Sequence, residues 1–316
     1  MKIFIPGGAG YIGAHIVEQF IENGHEVVAF DNFVTGEAER LKSLCEVIRG
    51  DIRNLDEVSK YLDSTFDGVI NLAALKSVSE SKKKQDLYRD VNFYGARNLL
   101  LAAEKANVTF FIQSSTAAVY GEPIYNIVSE DAELRPISPY GDYKLMAENA
   151  VKASTLAGKL RGTSLRYFNV AGSKTPIFAE KQHSNLIPIV LDNLMQGVRP
   201  TIFGNDYATK DGTCVRDFIH VSDIAHAHYV SATTLMERNF PSALNIGTGS
   251  GYSVNEVVSM CIQKTQSHLS PIYEPRRLGD PSSLIADISL ARDVLFFETK
   301  HDLESMIESS VKNQLL

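Results

Sequence analysis

Short apolar runs alternate with amphipathic helical segments over the first half of the chain. KIFIP at residues 2–6 is followed by helical spacing from Ala14 to Asn23, and a second helical segment covers 86–106. The further apolar runs are HEVVAFDN, CEVIRGDI, FDGVINL, VTFFIQSS and TSLRYFNVAG. This alternation predicts an α/β fold with a doubly wound, Rossmann-type parallel sheet.

The alternation loosens after the sixth apolar run. HSNLIPIVLDNLMQG predicts a helix, PTIFGND a short strand, and DGTCVRDFIHVSDIAHAHYVSATTL a strand and then a helix. We therefore predict that residues 1–172 form a dinucleotide-binding domain with a returning segment near 213–248. Residues 173–316 are expected to form mainly a smaller, mixed α/β substrate-binding lobe.

Composition excludes some classes of partner. A formal charge of -7 over 316 residues argues against a nucleic-acid or membrane-surface binder, although a local basic cluster can still hold an anion. No apolar run reaches the roughly 20 residues that span a bilayer, and MKIFIPGG enters a strand at once. We expect a soluble cytoplasmic protein.

Cysteine and histidine spacing indicates neither disulfides nor a metal site. Cys45, Cys214 and Cys261 are odd in number and lie far apart, which is typical of reduced thiols in small core positions. His226 and His228 are two residues apart and so point to different faces of a helix. We expect no bound metal.

The segment GGAGYIG lies between the first strand and the first helix. Gly7 suits a tight turn, Gly10 lets a pyrophosphate approach the backbone, and Gly13 lets the helix pack closely on the strand. The next strand ends in Asp31, where a carboxylate accepts hydrogen bonds from the adenosine ribose and repels a 2′-phosphate. NAD is therefore favoured over NADP, and the alternative is that Asp31 only caps a turn.

Three further candidate residues follow the next strands, and a fourth, Asn92, lies on the helix at 86–106. Asp51 is placed to reach the adenine amino group and Ile52 to cover its ring, unless Asp51 begins the following helix. Ala73 is a small residue beyond the fourth strand, where open sheets bind ligands. Asn92 is either a buried anchor behind the cofactor or a surface amide.

Tyr140 and Lys144 are four residues apart in a helix-favouring segment, so both side chains project from one face. A neighbouring cation lowers the pKa of a phenol, which lets tyrosine remove a hydroxyl proton beside a bound nicotinamide. Thr116, at the end of VTFFIQSS, is placed to bond the same substrate oxygen. The alternative is an ordinary solvated helix face.

Three arginines stand out in the second lobe. Arg216 lies in a strand-like segment, and Arg276 and Arg277 precede a Gly-Asp-Pro turn. Arg216 and Arg277 are suited to gripping a diphosphate with paired N–H groups, while surface ion pairing is the alternative.

Longer motifs carry a family resemblance. In order, they are GGAGYIG, Asp31-Asn32, GDIR, LAALKSVSES, SSTAAVYG, SPYGDYK, LRYFNVAG, NLIP, IFGNDYATKDGTCVRDFIHV and RRLGDP. With these motifs the chain resembles the UDP-glucose 4-epimerases of the extended short-chain dehydrogenase/reductase family, from about Lys2 to about Val294.

The resemblance implies interconversion of UDP-galactose and UDP-glucose through a 4-keto sugar, with NAD reduced and reoxidised in each turnover. By this pattern Tyr140 takes the proton of the 4-hydroxyl while hydride passes from C4 to the nicotinamide. Lys144 lowers the tyrosine pKa and holds the nicotinamide ribose, and Thr116 bonds the 4-oxygen. The resemblance also implies a homodimer formed through paired helices, including the one that carries Tyr140.

The family pattern places binding residues along the whole chain. Its cofactor positions fall on Gly7, Gly10, Tyr11, Ile12, Asp31, Asn32, Asp51, Ile52, Ala73, Lys76, Asn92, Tyr140, Lys144 and Phe168. Its substrate positions fall on Lys76, Thr116, Asn169, Asn185, Leu186, Thr201, Phe203, Arg216, Arg277, Asp280 and Leu284.

The sequence departs from the family pattern at several positions. Pro6 replaces a threonine before the glycine turn, Tyr143 a small residue, and Ser173 an alanine. Leu284 stands where a bulky tyrosine excludes N-acetyl groups and a smaller residue admits them, so N-acetylated substrates stay open. The carboxyl end looks shortened and lacks the family's tryptophans.

Two other functions stay open. A related sugar-nucleotide dehydratase needs acidic residues near Thr116, where this chain has Ala117 and Ala118. A noncatalytic dinucleotide sensor on the same fold is the other alternative, although such proteins typically lack the Tyr/Lys pair.

Overall fold

The computed structural model describes residues 1–181, 185–277 and 279–314. The strands are β1 (Lys2–Pro6), β2 (Glu26–Asp31), β3 (Glu46–Arg49), β4 (Gly68–Asn71), β5 (Phe110–Thr116), β6 (Ile127–Val128), β7 (Arg161–Tyr167), β8 (Asn169–Ala171), β9 (Thr201–Phe203), β10 (Val215–His220), β11 (Ala243–Ile246), β12 (Gly251–Ser253), β13 (Ile272–Glu274) and β14 (Ser283–Ala286).

The helices are α1 (Tyr11–Glu22), α2 (Leu55–Tyr61), α3 (Val78–Lys83), α4 (Gln85–Arg89), α5 (Ala96–Ala106), α6 (Pro139–Leu156), α7 (Leu186–Met195), α8 (Val221–Glu237), α9 (Val254–Lys264), α10 (Ser289–Leu295) and α11 (Leu303–Gln314). The helix predicted from HSNLIPIVLDNLMQG corresponds to α7, and its first two predicted residues, His183 and Ser184, lie outside the described residues.

A seven-stranded parallel sheet forms the larger part of the described structure, with strand order β11-β7-β5-β4-β1-β2-β3. The order reverses between β1 and β4, and ligands of such folds bind in the crevice at this switch point. The predicted doubly wound α/β fold is confirmed.

Hydrophobic clusters cover both faces of this sheet. On β5, Phe110 and Ile112 face a cluster formed with α1 and α8, and Phe111 faces the opposite cluster formed with α2 and α5. This alternation follows from the two-residue period of a strand. The sheet therefore has helices on both faces, and its carboxyl edge carries the residues of the predicted site.

A smaller mixed sheet has the order β12-β10-β14-β6 within the described chain, and β8 also pairs with β10. The prediction that TSLRYFNVAG is one strand was wrong, because Tyr167 ends β7 and Asn169 begins β8. Phe168 between them is buried, and its N–H donates to the carbonyl of Ile246. The chain therefore passes directly from the large sheet to the small one.

The predicted returning segment 213–248 has parts in both sheets. β10 lies in the smaller sheet, α8 packs against α1, and β11 pairs with β7 at the edge of the large sheet. A domain boundary at residue 172 stays a prediction.

One local feature differs from the sequence expectation. The predicted helix over 86–106 contains a π-helical turn, Asp90–Gly95, which carries Asn92.

Pro139 is the first residue of α6, because its fixed φ suits the first helical position. Ser138 caps this helix by accepting a hydrogen bond from the N–H of Gly141.

Among the described helices, none has the length and apolarity that crossing a membrane requires.

Candidate active site

The glycine turn forms the bottom of the crevice. Gly7 has a φ of 79° and donates its N–H to the carbonyl of Phe30 at 2.8 Å. A Cβ on Gly13 would lie 2.3 Å from the carbonyl oxygen of Gly7, whereas a Cβ on Gly10 would meet that oxygen at 3.2 Å and nothing else within 4 Å among the described atoms. Gly13 therefore lets α1 pack closely against the glycine turn, and Gly10 leaves space for a ligand to reach the backbone of the turn.

This turn fits the pyrophosphate of NAD. Gly10 is the N-cap of α1 and has no side chain to satisfy the first N–H groups of the helix. These N–H groups and the positive end of the helix dipole are a ready anion site. Tyr11 and Ile12 begin the helix, with Ile12 packed against the core and the Tyr11 hydroxyl donating to the carbonyl of Gly172 at 2.5 Å.

Asp31 ends β2 directly beside the glycine turn. Its carboxylate accepts hydrogen bonds from the N–H groups of Ala9 at 3.1 Å and Phe33 at 2.9 Å. Burial raises the pKa of Asp31, and these two N–H groups oppose that shift. The capping alternative is therefore observed, and contact with a ribose stays a prediction for the same carboxylate.

Arg40 is a charged residue of this region that the sequence reading missed. Its buried guanidinium donates to the carbonyls of Ala9, Ile177 and Ala179 at 3.2, 3.2 and 2.8 Å. Arg40 thereby ties the glycine turn to the segment that follows β8. A single arginine in a short polar stretch gave no periodic signal that would have marked it.

Asp51 is held by polar neighbours. Arg53 donates to it through Nε at 2.9 Å and through a terminal nitrogen at 2.6 Å, and Asn32 donates at 3.2 Å. The Arg53 bond is the main cause that lowers the pKa of Asp51 to about 2. The alternative that Asp51 caps α2 was wrong, because Asn54 is that cap. Contact between Asp51 and adenine stays a prediction.

The neighbouring Ile52 is buried in the hydrophobic cluster on this side of the sheet. A Cβ on Gly95 would lie 2.6 Å from its Cδ1 atom, so Gly95 gives the isoleucine its space. Its predicted contact with the adenine ring also stays a prediction.

Asn92 is a buried anchor, as one of its two predicted roles requires. Its amide accepts from the N–H of Leu75 and donates to the carbonyl of Leu75, both at 2.8 Å. Ala73 lies against the glycine turn, because a Cβ on Gly7 would be 2.5 Å from the Ala73 nitrogen. The loop after β4 is therefore fixed between the π-helical turn and the glycine turn.

Tyr140, Lys144 and Thr116 meet at the carboxyl end of β5. The Thr116 side chain hydrogen-bonds the phenol of Tyr140, and its hydroxyl oxygen accepts from the N–H of Ala118 at 3.2 Å. The Lys144 ammonium donates to the carbonyl of Ser114 at 2.9 Å and to its hydroxyl at 3.1 Å. These contacts bring together the three residues of the predicted acid–base group.

Burial dominates the electrostatics of this group. It raises the pKa of Tyr140, and the Thr116 hydrogen bond opposes the shift without reversing it. Burial also lowers the pKa of Lys144 to about 8, against the charge of Glu148. The Lys144 ammonium is directed to Ser114 and is not a cause of the Tyr140 shift, so the lowering of the tyrosine pKa by Lys144 stays a prediction.

Two buried carboxylates at the site were missed from sequence. Glu148 pairs with Arg166 at 2.8 Å and accepts from the hydroxyl of Ser115. Glu180 accepts from Lys76 and, at 2.8 Å, from Asn185. Glu148 continues the four-residue spacing of Tyr140 and Lys144, which was an available signal.

The Lys76–Glu180–Asn185 contacts bridge two parts of the crevice. Lys76 follows β4 on the nucleotide side, and Asn185 is the N-cap of α7. Leu186, the next residue, begins α7 and is half-buried. The structure thus brings the predicted Lys76 and Asn185 together through a carboxylate.

The two predicted diphosphate residues lie in the smaller lobe. Arg216 on β10 is 3.7 Å from the carboxylate of Asp280. The Arg277 guanidinium lies 3.9 Å from the ring centroid of Phe203 on β9, and Thr201 is two residues earlier on the same strand. Arg276 instead bonds Asp206 at 2.6 Å. Ion pairing therefore describes Arg276 and also Arg216, whereas Arg277 lies against an aromatic ring.

Two of the remaining predicted residues lie on strands beside β10, and the third, Phe168, lies between β7 and β8. Leu284 on β14 is opposite Arg216 in the parallel register and is buried. Asn169 on β8 is opposite Phe218 and is exposed. Phe168 is buried beside Leu284 in a cluster that also contains Ala117 and Tyr120.

Several described histidines take part in ordinary polar contacts. His228 is buried, with Nδ1 donating to the carbonyl of Ile224 at 2.8 Å and Nε2 accepting from the Tyr167 hydroxyl at 2.6 Å. Within residues 1–181, 185–277 and 279–314, no group of three or more histidine, cysteine or carboxylate side chains is placed to hold a metal ion.

Comparison with known proteins agrees with this geometry. Residues 3–247 match the model of the NAD dependent epimerase/dehydratase family. The UDP-glucose 4-epimerase of Lactobacillus helveticus is 39% identical over 307 residues, which are 96% of this chain and 93% of that protein. The UDP-glucose 4-epimerase of Halalkalibacterium halodurans is 40% identical over 98% of this chain and 94% of its own length.

Solved structures are similar over the whole chain. The UDP-glucose-4-epimerase from Stenotrophomonas maltophila with bound NAD and formylated UDP-arabinopyranose has a TM-score of 0.95 at 34% identity, covering 100% of this chain and 98% of that one. The UDP-Glc/GlcNAc 4-epimerase from Campylobacter jejuni has a TM-score of 0.87 at 36% identity, covering 99% of both chains. With its glycine turn, its Tyr140–Thr116 contact and this full-length similarity, the chain belongs to the NAD dependent epimerase/dehydratase family.

Proposed function

We propose that this protein is a UDP-glucose 4-epimerase, an isomerase that interconverts UDP-galactose and UDP-glucose with NAD as its resident cofactor. The observation that carries the proposal is the bonding of Tyr140 to Thr116 and of Lys144 to Ser114, at the carboxyl end of β5. This edge faces the crevice beside the glycine turn, where a bound nicotinamide and a sugar hydroxyl can meet one phenol. The similarity to named UDP-glucose 4-epimerases along the whole chain supports the same activity.

Each residue of the acid–base group has a separate task. The Tyr140 oxygen takes the proton of the sugar 4-hydroxyl and returns it to the 4-oxygen. Thr116 donates a hydrogen bond to the phenol and stabilises its charged form. The Lys144 ammonium supplies positive charge on the same helix face. When held by the glycine turn and Asp31, NAD would supply the acceptor and donor of hydride for C4 of the sugar.

Epimerisation requires a firm grip on the nucleotide and a loose grip on the sugar, because the 4-keto hexose has to turn over. Arg216 and Arg277 lie in the smaller lobe, and each guanidinium offers paired N–H groups to a phosphate. Together they reconcile a chain of charge -7 with an anionic ligand. This arrangement favours release of the hexose ring without release of the diphosphate.

The dehydratase alternative gains no support from the site. Ala117 and Ala118 follow Thr116 in a short 3-10 turn, where elimination of water would require acidic side chains. A 4-keto-6-deoxy product from the purified protein would nevertheless favour it.

The test is a coupled assay that detects UDP-glucose formed from UDP-galactose by purified protein with bound NAD. Tyr140→Phe removes the proton acceptor and is expected to lower kcat by roughly 10²- to 10⁴-fold. Tyr143→Phe is the matched control, because it removes a hydroxyl from the same helix outside the acid–base group. Absence of turnover by the NAD-bound wild type would reject the proposal and favour a noncatalytic sensor.

N-acetylated UDP-hexoses are a second class of substrate that the site favours. Leu284 replaces the bulky family tyrosine and lies opposite Arg216, near the proposed diphosphate grip. The UDP-Glc/GlcNAc 4-epimerase from Campylobacter jejuni is 36% identical to this chain. We expect turnover of UDP-N-acetylgalactosamine beside that of UDP-galactose.

The proposal includes a cytoplasmic location. It also includes a homodimer that forms through paired helices, one of which is α6. Met146 on α6 and Leu101 on α5 are large apolar side chains that are 40% and 39% exposed. Apolar residues on neighbouring helices suit a helical interface. Sedimentation of the purified protein tests the dimer.

A further inference from the structure

Three residues of α6, each one turn after the last, bond to three consecutive residues of β5. Tyr140 bonds Thr116, Lys144 bonds Ser114, and Glu148 bonds the hydroxyl of Ser115. Residues four apart lie on one helix face, so the acid–base pair and Glu148 form a single row. The third member of this row lies below the crevice and touches no predicted ligand position.

Glu148 is the centre of a buried polar network. Arg166 on β7 donates to it from Nε at 3.1 Å and from a terminal nitrogen at 2.8 Å. Arg166 also donates to the hydroxyl of Tyr120 at 2.9 Å, and that hydroxyl donates to Asn245 at 2.7 Å. Lys144, Glu148 and Arg166 are only 3%, 5% and 4% exposed.

The charges of this network are unusual for a structural core. A buried ion pair gives little net stability, because desolvation of both charges offsets their attraction. Here the buried carboxylate of Glu148 pairs with Arg166 and also acts electrostatically on Lys144, which lies one helical turn earlier. If Glu148 lost its charge, both cations would lose this counter-charge in a region of low polarity.

The other groups around the row do not replace that anion. Tyr140 on α6 and Tyr167 on β7 are phenols, and Tyr120 lies in the 3-10 turn after β5. Glu130, before α6, accepts from the N–H of Asn245 at 2.7 Å, and its carbonyl accepts from Arg166 at 3.4 Å. Asp287 acts on Glu130 and not on Lys144.

We propose that Glu148 is a positioning residue of the reaction, which holds α6 in register with β5 and keeps Lys144 charged beside Tyr140. The inference rests on the proposed function, because the proposed function requires a positively charged Lys144 on the same helix face as Tyr140. Glu148 acts through Lys144 and does not touch the substrate. Supporting this role, burial lowers the pKa of Lys144 to about 8 and the charge of Glu148 is what opposes the shift.

The test is the pH dependence of kcat in Glu148→Gln, which keeps the shape of the side chain and removes its charge. Activity requires charged Lys144 and is lost as the pH rises through its pKa. Removal of the anion lowers that pKa further, so the alkaline limb of the profile is expected to move down by about one pH unit or more. The loss of activity is then small at pH 6.5 and about fivefold or more at pH 8.

Two further variants separate charge from packing. Ser115→Ala removes a bond to Glu148 but no charge, so its alkaline limb is expected to stay in place. Arg166→Gln, added to Glu148→Gln, removes the unbalanced cation and is expected to return the limb toward the wild-type pH. A Glu148→Gln enzyme that loses the same factor of activity at every pH would overturn the proposal.

A second readout does not depend on turnover. Titration of the Lys144 ε-carbon by NMR, assigned with Lys144→Met, reports the charge directly in wild type and in Glu148→Gln. If the wild type lacks epimerase activity, the proposed function fails while this titration still tests Glu148. An unchanged Lys144 titration in Glu148→Gln would overturn the inference. If that variant does not fold, Arg166→Gln alone is expected to move the titration to higher pH, and no movement would overturn it.

Discussion

The guanidinium of Arg277 stacks on the ring of Phe203, with 3.9 Å between the guanidinium carbon and the ring centroid. The adjacent Arg276 is held by Asp206 through Nε at 2.6 Å and lies over Tyr207. The guanidinium is planar and offers paired N–H groups that match two phosphate oxygens, and the ring contact fixes its orientation. The two neighbouring arginines therefore have different surroundings, and the proposed phosphate contact belongs to Arg277.

Arg277→Lys is expected to raise the KM for UDP-galactose by roughly 10- to 100-fold, because lysine neither stacks on Phe203 in the same way nor offers paired donors. Initial rates over a range of substrate concentrations measure the effect. Arg276→Lys is the matched control and is expected to change KM by less than about threefold. Equal effects of the two substitutions would contradict the separation of roles.

Gly13→Ala and Gly10→Ala are expected to fail in different ways. A Cβ at Gly13 would lie 2.3 Å from the Gly7 oxygen, so the backbone has to move, and we expect a loss of about 1–3 kcal/mol of unfolding free energy. A Cβ at Gly10 would enter the open approach, so the protein is expected to stay folded and to retain less NAD. Urea unfolding and cofactor content after gel filtration measure the two losses, and an unfolded Gly10→Ala would contradict this assignment.

His228 is expected to make the fold sensitive to acid. Burial lowers its pKa to about 4, against the opposing hydrogen bond to Ile224. Because the folded pKa lies below the usual value near 6.5, the contribution of His228 to stability is fully present above pH 6.5 and is lost as the pH falls toward 4. The difference of roughly 2.5 units corresponds to about 3 kcal/mol.

His228→Gln removes this titration while leaving an amide that can bond Tyr167. Its unfolding free energy, measured in urea at a series of pH values, is expected to fall less steeply between pH 6.5 and 4 than that of the wild type. Identical slopes for the two proteins would show that His228 does not carry the acid sensitivity.

Leu284→Tyr is expected to narrow the substrate range. The added phenol would occupy the space beside Arg216 in which an N-acetyl group is expected to lie. We expect kcat/KM for UDP-N-acetylgalactosamine, relative to kcat/KM for UDP-galactose, to fall by at least about tenfold. A loss of this size is typical when one substrate group fits its pocket poorly. Leu284→Met, which keeps the volume, is the control.

Local sequence patterns predicted the fold well where each pattern has one physical cause. The glycine turn needs a positive φ at Gly7 and an open approach at Gly10, and Asp31 ends the following strand, so their spacing already specified a dinucleotide fold. The four-residue spacing of Tyr140 and Lys144 likewise predicted that both side chains lie on one helix face, from which they contact Thr116 and Ser114 on β5.

Features that depend on distant partners were not predictable. The boundary between β7 and β8 depends on pairing with β5 and β10, which lie far away in sequence. The roles of Glu148 and Glu180 depend on Arg166 and Lys76 in other segments. The pKa of Tyr140 depends on burial, which a two-residue motif does not specify.

A single residue, Phe168, separates the two sheets, and this junction sets a length. β7 pairs with the strand that ends in Thr116, and β8 pairs with the strand that carries Arg216. The number of residues that connect the strand beside β5 to the strand beside β10 is therefore fixed at this junction. One inserted residue would lengthen this connection by about 3.3 Å and turn the side chains of β8 to the opposite face. Under the proposed function, this junction fixes the spacing between the proton-transfer residues and the diphosphate residues, while the hexose between them stays free to present either face.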